Sequence, residues 1–270
     1  MRVAKIVAIA NQKGGVGKTT TCVNLTCALK KRGRRVLLVD CDPQGNSTSG
    51  MGVDKTATPN CYDMLMNGAA AADCIRSTKY GDVLPANMNL SGCSVELVSS
   101  EQREYIMKTA LAAVQDDYDF ILIDCPPSLG LLTVNALTAA DYLLIPTMAE
   151  PFAESGITQL YDTYKSVKKY TNPALRIDGV LLTRTERTRV TKTIQELTEK
   201  IADYMGADVY RTTIRSNVII KEAQAMQENV FDYIESKAQT KGERVSEASR
   251  NFVNDCLNFV KEFVEKEREQ

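Results

Sequence analysis

The sequence predicts an α/β fold, a doubly wound and mostly parallel sheet flanked by helices, with residues 1–270 forming a single domain. Three observations lead to this prediction. Strand patterns alternate with helical patterns along the chain, which is the order of βαβ units. The runs Val36–Val39 and Phe120–Ile123 are apolar throughout, as expected of strands buried on both faces. A glycine-rich stretch separates the first strand from the first helix, as expected of the loop that joins a strand to the next helix in a βαβ unit.

The alternation places each element in turn. Strands are predicted at Lys5–Ala10, Arg35–Asp40, Val95–Val98, Phe120–Asp124, Tyr142–Pro146 and Ile177–Thr183. Helices are predicted from Lys18 to a stop at Gly33, and at Gln102–Gln115, Leu131–Ala139, Ile157–Tyr170 and Thr191–Met205. The stretch Gly50–Asn89 is expected to add short helices and loops to the sheet. From about Glu243, apolar residues recur at three- and four-residue steps, which predicts a C-terminal amphipathic helix packed on the core.

Composition narrows the function classes. The chain of 270 residues is 44% hydrophobic and 25% charged, with a net charge of −1, so any binding of nucleic acid must come from a local patch. The absence of histidine excludes histidine-based catalysis and histidine metal sites. The eight cysteines form no C-x-x-C pair, and we expect them to be buried free thiols of a cytoplasmic protein.

The stretch from Lys13 to Thr20 has the features of a phosphate-binding loop. Gly17, Lys18 and Thr19 match the second half of the pattern G-x-x-x-x-G-K-[ST]. Glycines let successive backbone N–H groups converge on an anion, and the start of the following helix adds a positive field. We therefore predict that Lys18 contacts the β- and γ-phosphates and that the Thr19 hydroxyl binds Mg²⁺.

A second lysine sets this loop apart. Lys13 lies before the helix, so its side chain need not point into its own site. A cation at this position could reach the phosphates of a neighbouring subunit, as a dimer with nucleotide between its subunits would require.

Three motifs in order resemble the ParA/Soj family of partition ATPases, which have a deviant Walker A loop. The stretch Ala10–Thr21 is similar to that loop, Arg35–Asn46 to the second motif, and Asp119–Gly130 to the Walker B strand and switch II. The resemblance implies ATP and Mg²⁺ as cofactors and an ATP-dependent homodimer. It also implies non-specific binding of double-stranded DNA, a ParB-like partner, no membrane, and a cytoplasmic, nucleoid-associated location.

The resemblance also assigns the site residues. The nucleotide-binding residues are expected to be Lys13, Gly14, Gly15, Val16, Gly17, Lys18, Thr19, Thr20 and Asn217, and the catalytic residues Lys13, Lys18 and Asp42. The metal residues are expected to be Thr19, Asp40, Asp42 and Asp124. Asp42 is expected to orient or activate the attacking water, Asp40 to act either in the metal shell or structurally, and Asp124 to contact Mg²⁺ through water.

Two sets of basic residues are candidates for DNA contact. The predicted contacts are Arg184, Arg187, Arg189, Lys192, Arg215 and Lys221, with a solvated charged face as the alternative. The stretch Thr212–Ala223 resembles the adenine-side segment of the family, usually I-P-R-N-V-R-L-S-E-A. In this chain Arg215 takes the position of the family's proline, and Ser216 takes the position of its first arginine. The sequence therefore leaves open how the base is held.

The predicted function is a slow, partner-stimulated ATPase that drives partition of a plasmid, chromosome or mobile element. The alternatives are a MinD-like ATPase that cycles on a membrane and a regulatory ATPase of the same fold that binds no DNA. A membrane anchor carries basic residues on its polar face, but residues 261–270 hold three basic and four acidic side chains. The composition of the tail therefore favours packing on the core.

Overall fold

The computed structural model describes residues 3–148, 153–185, 189–226, 228–240 and 244–269, without the side chains of residues 153–155, 189–192 and 268–269. The strands are β1 Lys5–Ile9, β2 Val36–Asp40, β3 Arg76–Thr78, β4 Gly81–Leu84, β5 Phe120–Asp124, β6 Tyr142–Met148, β7 Arg176–Thr185 and β8 Ile214–Arg215. The helices are α1 Lys18–Lys31, α2 Asn46–Gly50, α3 Cys61–Met66, α4 Ala71–Cys74, α5 Leu90–Glu96, α6 Ile106–Ala112, α7 Leu131–Ala139, α8 Ala153–Tyr170, α9 Arg189–Met205, α10 Ile219–Ala225, α11 Val230–Gln239 and α12 Glu247–Glu269.

The described strands form one sheet in the order β3-β4-β2-β5-β1-β6-β7-β8. Every neighbouring pair is parallel except β3 with β4, so the predicted doubly wound, mostly parallel fold is confirmed. The register of the central strands places Asp40 on β2 and Ile9 on β1 opposite Asp124 on β5. Two acidic side chains and the start of the glycine-rich loop therefore meet at the same edge of the sheet.

Helices cover both faces of the sheet, because the alternate side chains of each central strand point to opposite faces. Helices α3 to α9 pack on one face, against Ala8, Leu37 and Ile123 among others. Helices α1 and α10 to α12 pack on the other face, where Phe252 and Phe263 of α12 are almost fully buried. The last helix therefore belongs to the core that lies beneath the phosphate loop.

The strand predicted at Val95–Val98 is wrong. The chain there forms the end of α5 and a single 3₁₀ turn, Leu97–Ser99. Leu90, Cys93 and Leu97 are fully buried, whereas Val95 is 77% exposed. The apolar residues that pack thus follow a three- to four-residue step, which is a helical period, and β-branched residues misled the prediction.

Other differences concern short elements and helix ends. Strands β3 and β4 lie within the stretch Gly50–Asn89, where helices and loops were expected, and β8 has only two residues. The helix predicted from Gln102 starts at Ile106 because Gln102 has a left-handed φ of 49°. The first helix ends at Lys31, and Gly33 follows with a φ of 77°, as expected of a glycine helix stop.

All eight cysteines are buried and free, which confirms that prediction. Within the described part of the chain, no helix combines the length and the apolar character needed to cross a bilayer.

Candidate phosphate and metal site

The glycine-rich loop joins β1 to α1 at the carboxyl end of the sheet. Gly15 and Gly17 have φ values of 75° and 88°, a backbone conformation that side chains with a Cβ rarely adopt. Val16, between them, is 1% exposed, and its carbonyl accepts a hydrogen bond of 2.7 Å from the Thr183 hydroxyl at the end of β7. The loop is thereby held against the sheet and leads directly into Lys18, the first residue of α1.

Lys18 is a buried cation at the base of this loop. Lys18 is only 6% exposed, and its Nζ donates to the Lys13 carbonyl oxygen at 3.2 Å. Burial lowers the pKa of Lys18 from its ordinary value of 10.5, while nearby negative groups, Asp124 first among them, oppose that shift. The amine is fixed beside the loop, where a phosphate chain cradled by the backbone would meet it.

Asp124, the last residue of β5, is fully buried. Its Oδ2 accepts hydrogen bonds from Thr19 Oγ1 at 2.8 Å and from Ser47 Oγ at 2.7 Å. Among the described residues, its Oδ1 has no hydrogen-bond partner. Burial raises the pKa of this carboxyl group. A buried carboxylate oxygen with no protein donor fits the water shell of Mg²⁺, which usually keeps several waters.

Asp40, the last residue of β2, is fully buried, and both of its carboxylate oxygens accept hydrogen bonds. Its Oδ2 accepts from Thr48 N at 2.8 Å and Thr48 Oγ1 at 2.7 Å, and its Oδ1 accepts from Asp42 N at 3.1 Å. Desolvation raises the pKa of Asp40 to about 7, and the neighbouring Asp124 adds to the shift. Of the two roles predicted for Asp40, this geometry favours the structural one, fixing the loop that follows β2; its contact with metal stays a prediction.

Asp42 lies at the rim of the same site. The residue is 8% exposed, and its Oδ1 accepts from Gln44 N at 2.9 Å, which orients the carboxylate. Asp124 and Asp42 both act on the Lys18 ammonium, since each opposes the lowering of its pKa. The described residues contain no group of three His, Cys, Asp or Glu arranged to hold an ion.

A cavity of about 720 Å³ extends from the loop across the end of the sheet. Gly15, Gly17 and Thr20 line one end, and Asn217 belongs to the segment that lines another part of the wall. Asn217 Oδ1 accepts from Ile219 N at 3.0 Å, at the start of α10. The chain thus brings the loop and the predicted adenine-side residue to one cavity, although they are separated by about two hundred positions in sequence.

Lys13 begins the loop and is half-buried. Its backbone N donates to Asn11 Oδ1 at 3.1 Å, and Asn11 Nδ2 donates to the Pro146 carbonyl oxygen at 2.8 Å. Its carbonyl receives the Lys18 ammonium, so the backbone of Lys13 is part of its own site. The contribution of the Lys13 side chain to a second subunit stays a prediction.

The three predicted DNA contacts whose side chains are described all line this cavity. Arg184 and Lys221 both line the cavity, and Arg184 Nη1 lies 3.4 Å from Met148 Sδ. Arg215 departs from expectation: its guanidinium is paired with Asp255 at 2.8 Å, which neutralises its charge within the chain and argues against DNA contact. Arg187 lies outside the described residues, as do the side chains of Arg189 and Lys192.

Four functional neighbours were missed from the sequence. Ser47 and Thr48 bind Asp124 and Asp40, Thr183 holds the loop, and Asp255 pairs with Arg215. The hydroxyls at positions 47 and 48 directly follow the second motif, which is a signal that could have been used. Asp255 gave no such signal, because its partner is 40 positions away in the chain.

The buried carboxyl group of Asp40 generates a testable pH dependence. Because its pKa is raised from 3.8 to about 7, folding favours the protonated form. The stabilisation is fully present below about pH 4 and is lost as pH rises through about 7. In EDTA, the free energy of unfolding of wild type relative to Asp40→Asn should therefore fall with pH, by at most about 1.4 kcal/mol per pH unit.

Urea denaturation at half-unit pH steps measures this difference. The matched control is Asp116→Asn, which changes an exposed carboxylate and should keep the wild-type slope. If the difference in free energy of unfolding between wild type and Asp40→Asn stayed constant from about pH 4 to about pH 7, the raised pKa of Asp40 would be contradicted as its cause.

Comparisons with known proteins agree with this geometry. A family model described as an AAA domain matches residues 4–177. The chain is 50% identical over 222 residues to the sporulation initiation inhibitor protein Soj of Bacillus subtilis, covering 81% of this chain and 87% of Soj. It is 43% identical over 234 residues to the chromosome partitioning protein ParA of Caulobacter vibrioides, covering 85% of this chain and 87% of ParA.

A solved structure is similar over nearly the whole chain. The crystal structure of cobyrinic acid a,c-diamide synthase from Mycobacterium smegmatis, with bound ATP analogue and magnesium, superposes with a TM-score of 0.78 at 33% identity. The match covers 96% of this chain and 93% of that one. On its motifs, its fold and these similarities, the chain belongs to the ParA/Soj family of partition ATPases.

Proposed function

We propose that this protein hydrolyses ATP with Mg²⁺ and uses the ATP cycle to partition a DNA cargo. The observation that carries the proposal is the joint placement of Lys18, Thr19 and the unpartnered Asp124 Oδ1 at the end of the sheet. The similar Mycobacterium smegmatis structure contains an ATP analogue and magnesium, and the similar Caulobacter protein is a chromosome partitioning protein, which supports both parts of the proposal.

Phosphoryl transfer requires mainly positioning and neutralisation of charge. Lys18 would donate to the β- and γ-phosphate oxygens, exchanging its contact with the Lys13 carbonyl for a charged partner. Thr19 would turn its hydroxyl oxygen to Mg²⁺, and Asp124 would accept hydrogen bonds from the waters of the ion. When bound, Mg²⁺ supplies further positive charge against the phosphates.

Asp42 is the residue we assign to the attacking water. Its carboxylate lies at the partly open rim of the site and has one oxygen fixed by Gln44 N. Asp40 and Asp124 are fully buried, so they have less access to a water that attacks the terminal phosphate. Asp40 would serve by holding the backbone of Asp42 in place through its Oδ1.

ATP would also join two copies of the chain. In this proposal, the Lys13 side chain contacts the phosphates bound to the partner subunit, while its carbonyl, which accepts from Lys18 in this structure, is released when Lys18 turns to the phosphates of its own site. Two copies that hold ATP between them would separate after hydrolysis, which couples turnover to assembly.

The dimer would bind double-stranded DNA without sequence preference. The support is the run from Arg184 to Lys192, which holds four basic residues against one acidic residue, together with the exposed Lys221. A ParB-like protein on the cargo would stimulate hydrolysis and release the dimer, and the protein would work in the cytoplasm on the nucleoid. The MinD-like alternative is less well supported, because Phe252, Phe259 and Phe263 of α12 are buried in the core.

Lys13→Ala should remove the ATP-dependent dimer, because the cation that reaches the partner's phosphates is lost. Light scattering of the full chain with Mg²⁺ and a non-hydrolysable ATP analogue measures the mass. The matched control is Asp42→Ala, which should keep the dimer with ATP but lower phosphate release by about a hundredfold or more.

Two results would count against this part of the proposal. A dimer of Lys13→Ala with the mass and nucleotide dependence of wild type would refute the contact between subunits. Phosphate release by Asp42→Ala at the wild-type rate would move the role in orienting water to another group.

DNA binding should depend on the state of the nucleotide. A mobility shift on a duplex of arbitrary sequence, with ADP, ATP or a non-hydrolysable analogue, should give a complex with ATP or its analogue but not with ADP. Binding should weaken steeply between 50 and 200 mM salt, because phosphate neutralisation releases counterions, with a slope of about −0.9 for each phosphate contact.

With the ATP analogue at saturation, so that weaker nucleotide binding is offset, Lys221→Gln and Arg184→Gln should each reduce that salt slope by about one. Arg215→Gln should leave the slope unchanged under the same conditions because its charge is already paired. Equal binding in all nucleotide states would favour the regulatory ATPase that does not use DNA.

A further inference from the structure

A thin segment forms one wall of the nucleotide cavity. Arg215, Ser216 and Asn217 line that cavity and also line a second, polar groove of about 1090 Å³ on their other side. Strand β8, which carries Arg215, is two residues long and pairs only with β7 among the described strands. A segment with space on both sides and so short a strand needs support from elsewhere to keep one position.

That support comes from Asp255 on α12. Its Oδ2 accepts from Arg215 Nε at 2.9 Å and from Arg215 N at 3.2 Å, and its Oδ1 accepts from Arg215 Nη2 at 2.8 Å. The carboxylate is 9% exposed, so water competes weakly for it. Two parallel contacts between a guanidinium and a carboxylate fix orientation as well as distance.

Helix α12 is itself firmly placed. Phe252 and Cys256, on either side of Asp255 along the helix, are at most 4% exposed in the core. About two turns after Asp255, Glu262 accepts from Arg211 N at 2.8 Å and from Thr212 N at 2.9 Å. The helix therefore holds the segment before Asn217 at two points, through its carboxylates.

We propose that Asp255 is a positioning residue for nucleotide binding: through Arg215 it sets the place of the wall that carries Asn217 and meets the base. The inference rests on the proposed function, in which ATP fills this cavity with its phosphates at Lys18. Arg215 occupies the position of the proline in the family segment. A proline would restrict the backbone locally, whereas here the ion pair between Asp255 and Arg215 (the brace) fixes the segment through α12. Its effect falls on the base and leaves the phosphates untouched.

Calorimetry on the full chain can separate the two ends of the site. Asp255→Asn removes the charge of the brace, and Arg215→Lys keeps the positive charge but loses the two-pronged contact. The ligands are Mg-ATP and Mg-tripolyphosphate, which has the phosphates without the base. The control is Glu265→Gln, an exposed carboxylate on the same helix that pairs with Lys261 at 3.8 Å.

Asp255→Asn should weaken Mg-ATP binding by about tenfold, the loss expected for a charged hydrogen-bonded contact. Arg215→Lys should give a smaller loss in the same direction. Both variants should bind Mg-tripolyphosphate like wild type, and Glu265→Gln should bind both ligands like wild type. Because retained tripolyphosphate binding requires a folded loop, it also excludes general unfolding as the cause.

Two outcomes overturn the inference alone. One is wild-type affinity for Mg-ATP in both brace variants, and the other is an equal loss of Mg-ATP and Mg-tripolyphosphate in Arg215→Lys. If wild type itself fails to bind Mg-ATP, the proposed function falls and this inference falls with it.

Discussion

The structure depends on a concentration of negative charge at one edge of the sheet. Parallel pairing of β2 with β5 sets Asp40 directly opposite Asp124, and Asp42 follows two residues later. Asp40 and Asp124 are fully buried. Among the described residues, Lys18 is the only lysine that is also buried. Burying carboxylates without positive partners is costly, so such a cluster is stable only with protons or added cations. The proposed Mg²⁺ would supply positive charge at this edge and would allow an anionic phosphate chain to bind beside the carboxyl groups.

Other features follow from that constraint. Thr48 and Ser47 satisfy Asp40 and one oxygen of Asp124, so the loop after β2 is shaped by the acids it covers. Thr19 donates to Asp124 in this structure, so an ion bound by the Thr19 hydroxyl oxygen would have to displace that hydrogen bond.

The sequence predicted the features that depend on residues close together in the chain. The doubly wound sheet follows from apolar strands between helices, and the phosphate loop from glycines beside Lys18. Val95 misled the strand prediction because its β-branched side chain lies on the exposed side of a helix. The tie between Asp255 and Arg215 could not be foreseen, since a contact between distant segments depends on how α12 packs. Site residues assigned by resemblance, such as Asp42, need a bound nucleotide to reveal their roles.

The central claim is that the unpartnered oxygen of Asp124 faces a hydrated divalent ion. Crystals of the chain grown with Mn²⁺ and a non-hydrolysable ATP analogue would locate that ion by its anomalous scattering. The account predicts one peak bonded to Thr19 Oγ1 and to phosphate, with Asp124 Oδ1 roughly 4 Å away through a water. A bound analogue with Thr19 still donating to Asp124, and with the manganese peak elsewhere, would contradict it.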